Sequence, residues 1–120
     1  MKYLLMIYGS EAAMAAVSPA DAAKVTGAYA AYTEAMKKAG VYVGGERLRP
    51  TSSATTVTGV NGKTKVLNGP YAETREQLGG YYMIDAPDLD AALSWAQRCP
   101  GTAHGSVEVR PIWPLDQNQH

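Results

Sequence analysis

The side chains of this 120-residue sequence best suited to chemistry near neutral pH are gathered toward its C-terminal end. Histidine is the side-chain type that normally changes charge near neutral pH, and His104, the only internal one, is therefore the candidate general acid or base. Glu108 and Arg110 follow in "GSVEVRPIW", and the two-residue period of a strand points both to one face. There they could orient a polar substrate. A second use of the same residues stays open: His104 as a partly exposed residue held at the start of its strand, and Glu108 with Arg110 as a cross-strand or intersubunit ion pair. If buried, such a pair would cost about 3–5 kcal/mol to break. Cys99, beside Pro100, is either a small packed side chain or the nucleophile of a Cys-His pair with His104.

A second constellation lies in "NGPYAETREQLGGYYMID", residues 68–85. Arg75 stands just before an apolar strand, where its guanidinium could offer a two-pronged fork to Glu46 of "GGERL" or to a ligand carboxylate. Alternatively, Glu73, Arg75 and Glu76 form a solvated loop whose pairs contribute about 0–1 kcal/mol. Asn68-Gly69-Pro70 reads as a rigid turn. Gly79-Gly80 marks either a bulge or a close approach of backbone or ligand, and it is no phosphate loop, because it enters a strand and lacks the lysine. Asp85 closes the stretch as a further carboxylate within reach of a site. Tyr8, Tyr32 and Tyr82 are candidate ligand contacts, supplying hydroxyls or an aromatic wall. With eight tyrosines and no phenylalanine, packing of rings whose hydroxyls find partners is the competing role.

Composition removes several functions. Eleven basic and eleven acidic residues cancel, leaving no electrostatic footprint for nucleic acid or an anionic membrane. The longest apolar runs fall far short of the roughly 20 residues that span a bilayer, and the N-terminus lacks the features of an export signal. Two histidines and one cysteine are too few and too scattered for a metal site, and no organic cofactor is implied. The single cysteine fits a reducing, cytoplasmic setting.

These residues must be positioned by a short series of elements. "KYLLMIY" is a strand with both faces apolar, Tyr3, Leu5 and Ile7 on one and Leu4, Met6 and Tyr8 on the other. "SPAD" caps a helix whose stripe runs from Val25 through Tyr29, Tyr32 and Met36 to a stop at Gly40. "VYVGGERL" is a second strand, with Gly44-Gly45 as a bulge or close approach. "ATTVTGV" and "KTKVL" form a hairpin around Asn61-Gly62. After the strand "QLGGYYMIDA" a second helix begins at Asp88, with Leu89, Ala92, Leu93 and Ala96 as its buried stripe and Trp95 packed beside it. The last strand sets Val107 and Val109 against Ser106, Glu108 and Arg110. This order predicts a single α+β domain over residues 1–113, a ferredoxin-like sandwich with an antiparallel sheet and two helices on one face, followed by a short flexible tail at 114–120. Charged residues are only 18% of the chain, below the roughly 25% of an average domain. That deficit and the doubly apolar inner strands predict a homodimer with two sheets face to face.

The motifs "MKYLLMIYG", "GGERL", "NGPYAETREQLGGYYMID", "LDAALSWAQRCP" and "HGSVEVRPI" resemble, over nearly the whole chain, the YCII-related proteins of the DGPF type. Where that type carries Asp-Gly-Pro-Phe, this chain has Asn68, Gly69, Pro70 and Tyr71, followed by the acid-Thr-base-acid run from Glu73 to Glu76. The resemblance implies a dimeric α+β barrel. It also implies a small cofactor-independent enzyme using acid-base chemistry on a small polar or aromatic substrate, since one branch includes a dehydrochlorinase of chlorinated hydroxyquinols. The alternative is a non-catalytic dimeric module that binds a small ligand or regulates. The helix histidine of the catalytic relatives has no counterpart between Pro19 and Gly40. Some DGPF-type genes are fused to sigma factors, but no such domain is present in this sequence.

Overall fold

A computed structural model describes residues 1–115. Strands β1 (Lys2–Gly9), β2 (Tyr42–Arg47), β5 (Gln77–Asp85) and β6 (Gly105–Pro111) form one antiparallel sheet in the order β2-β5-β1-β6. Helix α2 (Pro19–Lys38) links β1 to β2, and α3 (Leu89–Gln97) links β5 to β6. Each link therefore skips one strand, which is the split β-α-β arrangement of the ferredoxin-like α+β fold. The hairpin β3 (Thr55–Val60) and β4 (Lys63–Asn68) makes a separate two-stranded sheet.

Local chemistry sets the ends of these elements. Ser18 caps α2 by accepting from the Asp21 amide at 3.1 Å, Pro19 occupies the first turn, and Gly40 takes φ +75° past the last turn. Asp88 caps α3 through the Ala91 amide at 2.9 Å. In the hairpin, Asn61 and Gly62 both take positive φ, 52° and 78°, as a tight two-residue turn demands. Three short elements were not read from the sequence, one of them a 3-10 turn at Thr51–Ser53. "EAAMA" forms a short helix, α1 (Glu11–Ala15), capped by Ser10, and Pro100–Ala103 forms a 3-10 turn.

The core lies between sheet and helices. Tyr3 and Leu5 of β1, Ile84 of β5, Tyr32 and Met36 of α2, and Ala92 and Ala96 of α3 are buried together with Cys99. The α3 stripe needs correction, because Leu89 and Leu93 are exposed. The helix is rotated so that small Ala92 and Ala96 approach the sheet while Trp95 meets the Tyr32 ring edge-on at 6.2 Å. Small residues on this face let the helix axis come close, and two leucines would hold it off.

Both expectations for the double glycines are realised, one at each residue. The β1-β5 register slips beside Tyr8, leaving Gly79 as the extra residue of a bulge, whereas a Cβ on Gly80 would lie 2.8 Å from the Glu46 carbonyl. Likewise, β2 slips between Tyr42 and Gly44, and Gly45 packs under the Tyr82 ring. Gly69 takes φ +106° and donates its amide to the Ala54 carbonyl at 2.8 Å, which closes the root of the hairpin. Beyond Leu115 the tail lies outside the described residues.

Candidate functional site

One face of the sheet carries α2 and α3, and the other carries no element of the described chain. The molecule is accordingly a slab, 47 by 45 Å across and 18 Å thick. The register shows what the open face displays. Leu4 opposes Met83 and Arg110, Met6 opposes Tyr81 and Glu108, and Tyr8 opposes Leu78 and Ser106. Glu46 opposes Tyr81 from β2. Directly opposed residues in antiparallel strands share a face. Hence an apolar band from β1 and β5 is bordered by Glu46 on one side and by Glu108 and Arg110 on the other.

Five of the residues expected at a site, Tyr8, Glu46, Asp85, Glu108 and Arg110, thus share the open face, Asp85 at its rim opposite Lys2. Glu108 and Arg110 approach within one strand, Nε to Oε2 at 3.6 Å, and not across strands. Their side chains are 50% and 71% exposed, so in the single chain they are a wet pair and not a buried one. Among the described residues Glu46 has no ion-pair partner.

Tyr32 and Tyr82 lie on the opposite, helix-covered face. The Tyr32 hydroxyl donates to the Trp95 carbonyl at 2.7 Å, and the hydroxyls of Tyr82 and Thr33 are 2.8 Å apart. The Tyr32 and Tyr82 rings meet edge-on at 5.5 Å. Burial pushes the ionisation of both phenols above its ordinary range. Tyr29 shows the same shift for the same leading cause. Tyr32 and Tyr82 are neutral, hydrogen-bonded packing groups between the sheet and the helices.

The remaining candidates are dispersed. His104 is exposed at the end of the 3-10 turn, in a shallow cleft of about 320 Å³ with Lys24, Val25 and Ala28 of α2 and with Pro100 and Ala103. That places it on the helix side, and no described carboxylate lies within ion-pair distance of it. Cys99 is buried, and burial pushes its thiol up, away from the thiolate that a nucleophile needs. Arg75 is exposed in the loop before β5 and pairs with neither Glu46 nor any other described carboxylate. Asp85, by contrast, stays at the rim of the open face, where it receives the N-terminal ammonium of Met1 at 2.9 Å.

A polar cluster that sequence reasoning missed closes one end of the sheet. Glu11 of α1 accepts from both the amide and the hydroxyl of Thr51, at 2.8 and 2.6 Å, while its own amide donates to Gln77 Oε1 at 2.9 Å. Nearby, Ser106 donates to Glu76 at 3.1 Å. The available signal was Ser10 followed at once by an acid and an alanine run, which is a helix start. Its partners 40 and 66 residues away carry no such mark. Among the described residues no group of three or more His, Cys, Asp or Glu side chains is placed to hold a metal ion.

Comparison with known proteins agrees with this architecture. A protein of Rhizobium meliloti (strain 1021), R00369, is 37% identical over 114 residues, covering 93% of this chain and 92% of its own. A solved structure of similar fold is 5-chloro-2-hydroxyhydroquinone dehydrochlorinase, TftG, from Burkholderia phenoliruptrix AC1100, in complex with 2,5-dihydroxybenzoquinone. It aligns with a TM-score of 0.57 at 15% identity, over 99% of this chain and 100% of the other, a likeness of fold alone. The YCII-related domain matches residues 1–116, and the chain belongs to that family.

Proposed function

We propose that the protein is a homodimer that holds a small polar or aromatic molecule between two opposed open sheet faces. The observation that carries this reading is the open face itself. Leu4, Met6, Tyr8, Leu78, Tyr81 and Met83 form an apolar band bordered by charged side chains, with nothing of the described chain over it. A second copy packed on this face removes the band from water and encloses it, and a concave apolar site with a few convergent polar groups is what a small ligand requires. Arg110 then offers a donor fork, Glu46 and Glu108 accept, and Tyr8 and Tyr81 supply ring faces and hydroxyls. The dihydroxybenzoquinone complex of TftG is in keeping with a planar, oxygenated ring as the class of ligand.

The binding reading takes precedence over acid-base catalysis because His104 stands on the other side of the sheet, without a carboxylate partner among the described residues. Catalysis in the same cavity would have to draw on Glu46 or Glu108. The buried thiol fits a cytoplasmic setting, and no helix among the described residues is long and apolar enough to cross a membrane.

The test has two arms. Sedimentation of the wild type and of Met83→Glu measures association, and calorimetric titration with hydroxybenzoquinones and small phenols measures binding. We expect a wild-type dimer, a Met83→Glu monomer, and a ligand whose affinity falls at least about tenfold in Arg110→Ala. A wild type that stays monomeric at high concentration would sink the reading. Turnover of a ligand that vanishes in Glu108→Gln would convert it to the catalytic one.

A further inference from the structure

The β3-β4 hairpin is the least supported part of the molecule. It forms its own two-stranded sheet, and every residue of β4 is exposed. An isolated hairpin is marginally stable at best in water unless a further surface packs on it.

Its two faces differ. Thr55 opposes Asn68, Val57 opposes Val66 and Gly59 opposes Thr64, so one face is wholly uncharged. The other carries Lys63 and Lys65 together with Val60 and Leu67, and on it Thr56 and Thr58 are half-buried, Thr56 bonding back to the Gly69 carbonyl at 2.8 Å. A hairpin serving only its own chain would turn the uncharged Val57/Val66 face inward and the lysine face out. Here Val57 is 63% exposed and Val66 66%, and Tyr71, just past the hairpin, is 89% exposed. Two β-branched side chains left bare side by side, with an exposed aromatic three residues past the hairpin, are typical of a surface that another protein covers.

We propose that this hairpin is an arm that grips a second copy of the same chain, laying its Val57/Val66 face on the partner; the inference rests on the dimer proposed above and extends it. Two arguments identify the occupant. First, the arm is continuous with the open face, because it leaves the sheet from β2 and re-enters at β5, the strands that carry Glu46 and Tyr81. A partner seated on that face would pack against the strands from which the arm projects. Second, the open face supplies about a dozen side chains, while a stable interface uses roughly 20–30 residues on each side. The arm makes up the shortfall. The same device gives an otherwise bare hairpin the packing that it lacks.

The decisive variant is V57E/V66K, which strips the apolar face but leaves an opposite-charge cross-strand pair to hold the hairpin. Its dimer dissociation constant, measured by sedimentation equilibrium, is expected to rise at least about 100-fold over wild type. In wild-type protein, hydrogen exchange at the amides of residues 57–66 should be slow when dimeric and should speed up on dilution in step with dissociation. Wild-type affinity in the variant, with exchange indifferent to dilution, would overturn the arm and leave the two-sheet dimer standing. A wild type that never associates would overturn both. Dimer loss in V57E/V66K with none in Met83→Glu would keep the arm and discard the sheet-to-sheet contact.

Discussion

Replacing Gly45 with alanine tests the packing that holds β2, and with it Glu46, against the sheet. An ideal Cβ there would stand 2.6 Å from Tyr82 Cδ1 and 2.8 Å from the Tyr81 carbonyl oxygen. Carbon contacts settle near 3.5–4.0 Å. The ring cannot swing freely, since its hydroxyl is 2.8 Å from Thr33 and its edge meets Tyr32 and Tyr42. The carbonyl belongs to the sheet backbone. Overpacking of this kind costs about 1–3 kcal/mol, and the lost flexibility of the unfolded chain returns about 0.4–1 kcal/mol, for a net loss near 2 kcal/mol at the upper end. With an unfolding entropy of about 2.1 cal/mol/K per residue, that lowers Tm by about 8 °C. Gly44→Ala is the control, because a Cβ there meets nothing within 4 Å. It should be neutral or slightly stabilising. The assay is thermal unfolding of both variants at matched concentration, with near-ultraviolet circular dichroism reporting the tyrosines. Equal midpoints for the two alanines would refute the reasoning.

Burial raises the ionisation of Tyr29, Tyr32 and Tyr82 above the unfolded value near 10, so the unfolded chain gives up these protons first. Stability should be fully present below pH 10 and fall above it, with a shallower fall in Tyr32→Phe; a flat profile between pH 10 and 12 would contradict the burial. At neutral pH the same variant should lose about 1 kcal/mol with its bond to the Trp95 carbonyl, measured by urea unfolding. A double-mutant cycle on Glu108 and Arg110, performed on the dissociated chain, should return no more than about 1 kcal/mol, because the pair is wet there; a larger coupling would mean that it is desolvated within one subunit. Cys99 should react with a thiol reagent only as fast as the native state opens, and prompt labelling would show that the thiol is accessible.

Alternation made the strands legible. Tyr3, Leu5 and Ile7 against Leu4, Met6 and Tyr8, and Val107 and Val109 against Glu108 and Arg110, could be assigned to faces from spacing alone, since a strand has only two sides. Helix starts at Ser18 and Asp88 and the turn at Asn61-Gly62 were readable because their hydrogen bonds close within a few residues. The phase of α3 was not. Its apolar residues cover more than one side, and which side turns inward depends on how closely the sheet lets the helix approach.

The sequence by itself determined the order of elements, the two apolar sides of the inner strands, and the charge balance that leaves no footprint for a polyanion. Tertiary structure decided which candidates can meet. It put Tyr8, Glu46, Asp85, Glu108 and Arg110 on one open face and Tyr32 and Tyr82 behind the sheet, and it left His104 beside α2. It also joined Glu11 to Thr51 and Gln77. Those meetings depend on strand register and on the direction of each crossover. Both are settled by how the whole sheet and its helices pack, and neither is marked at any single position along the chain.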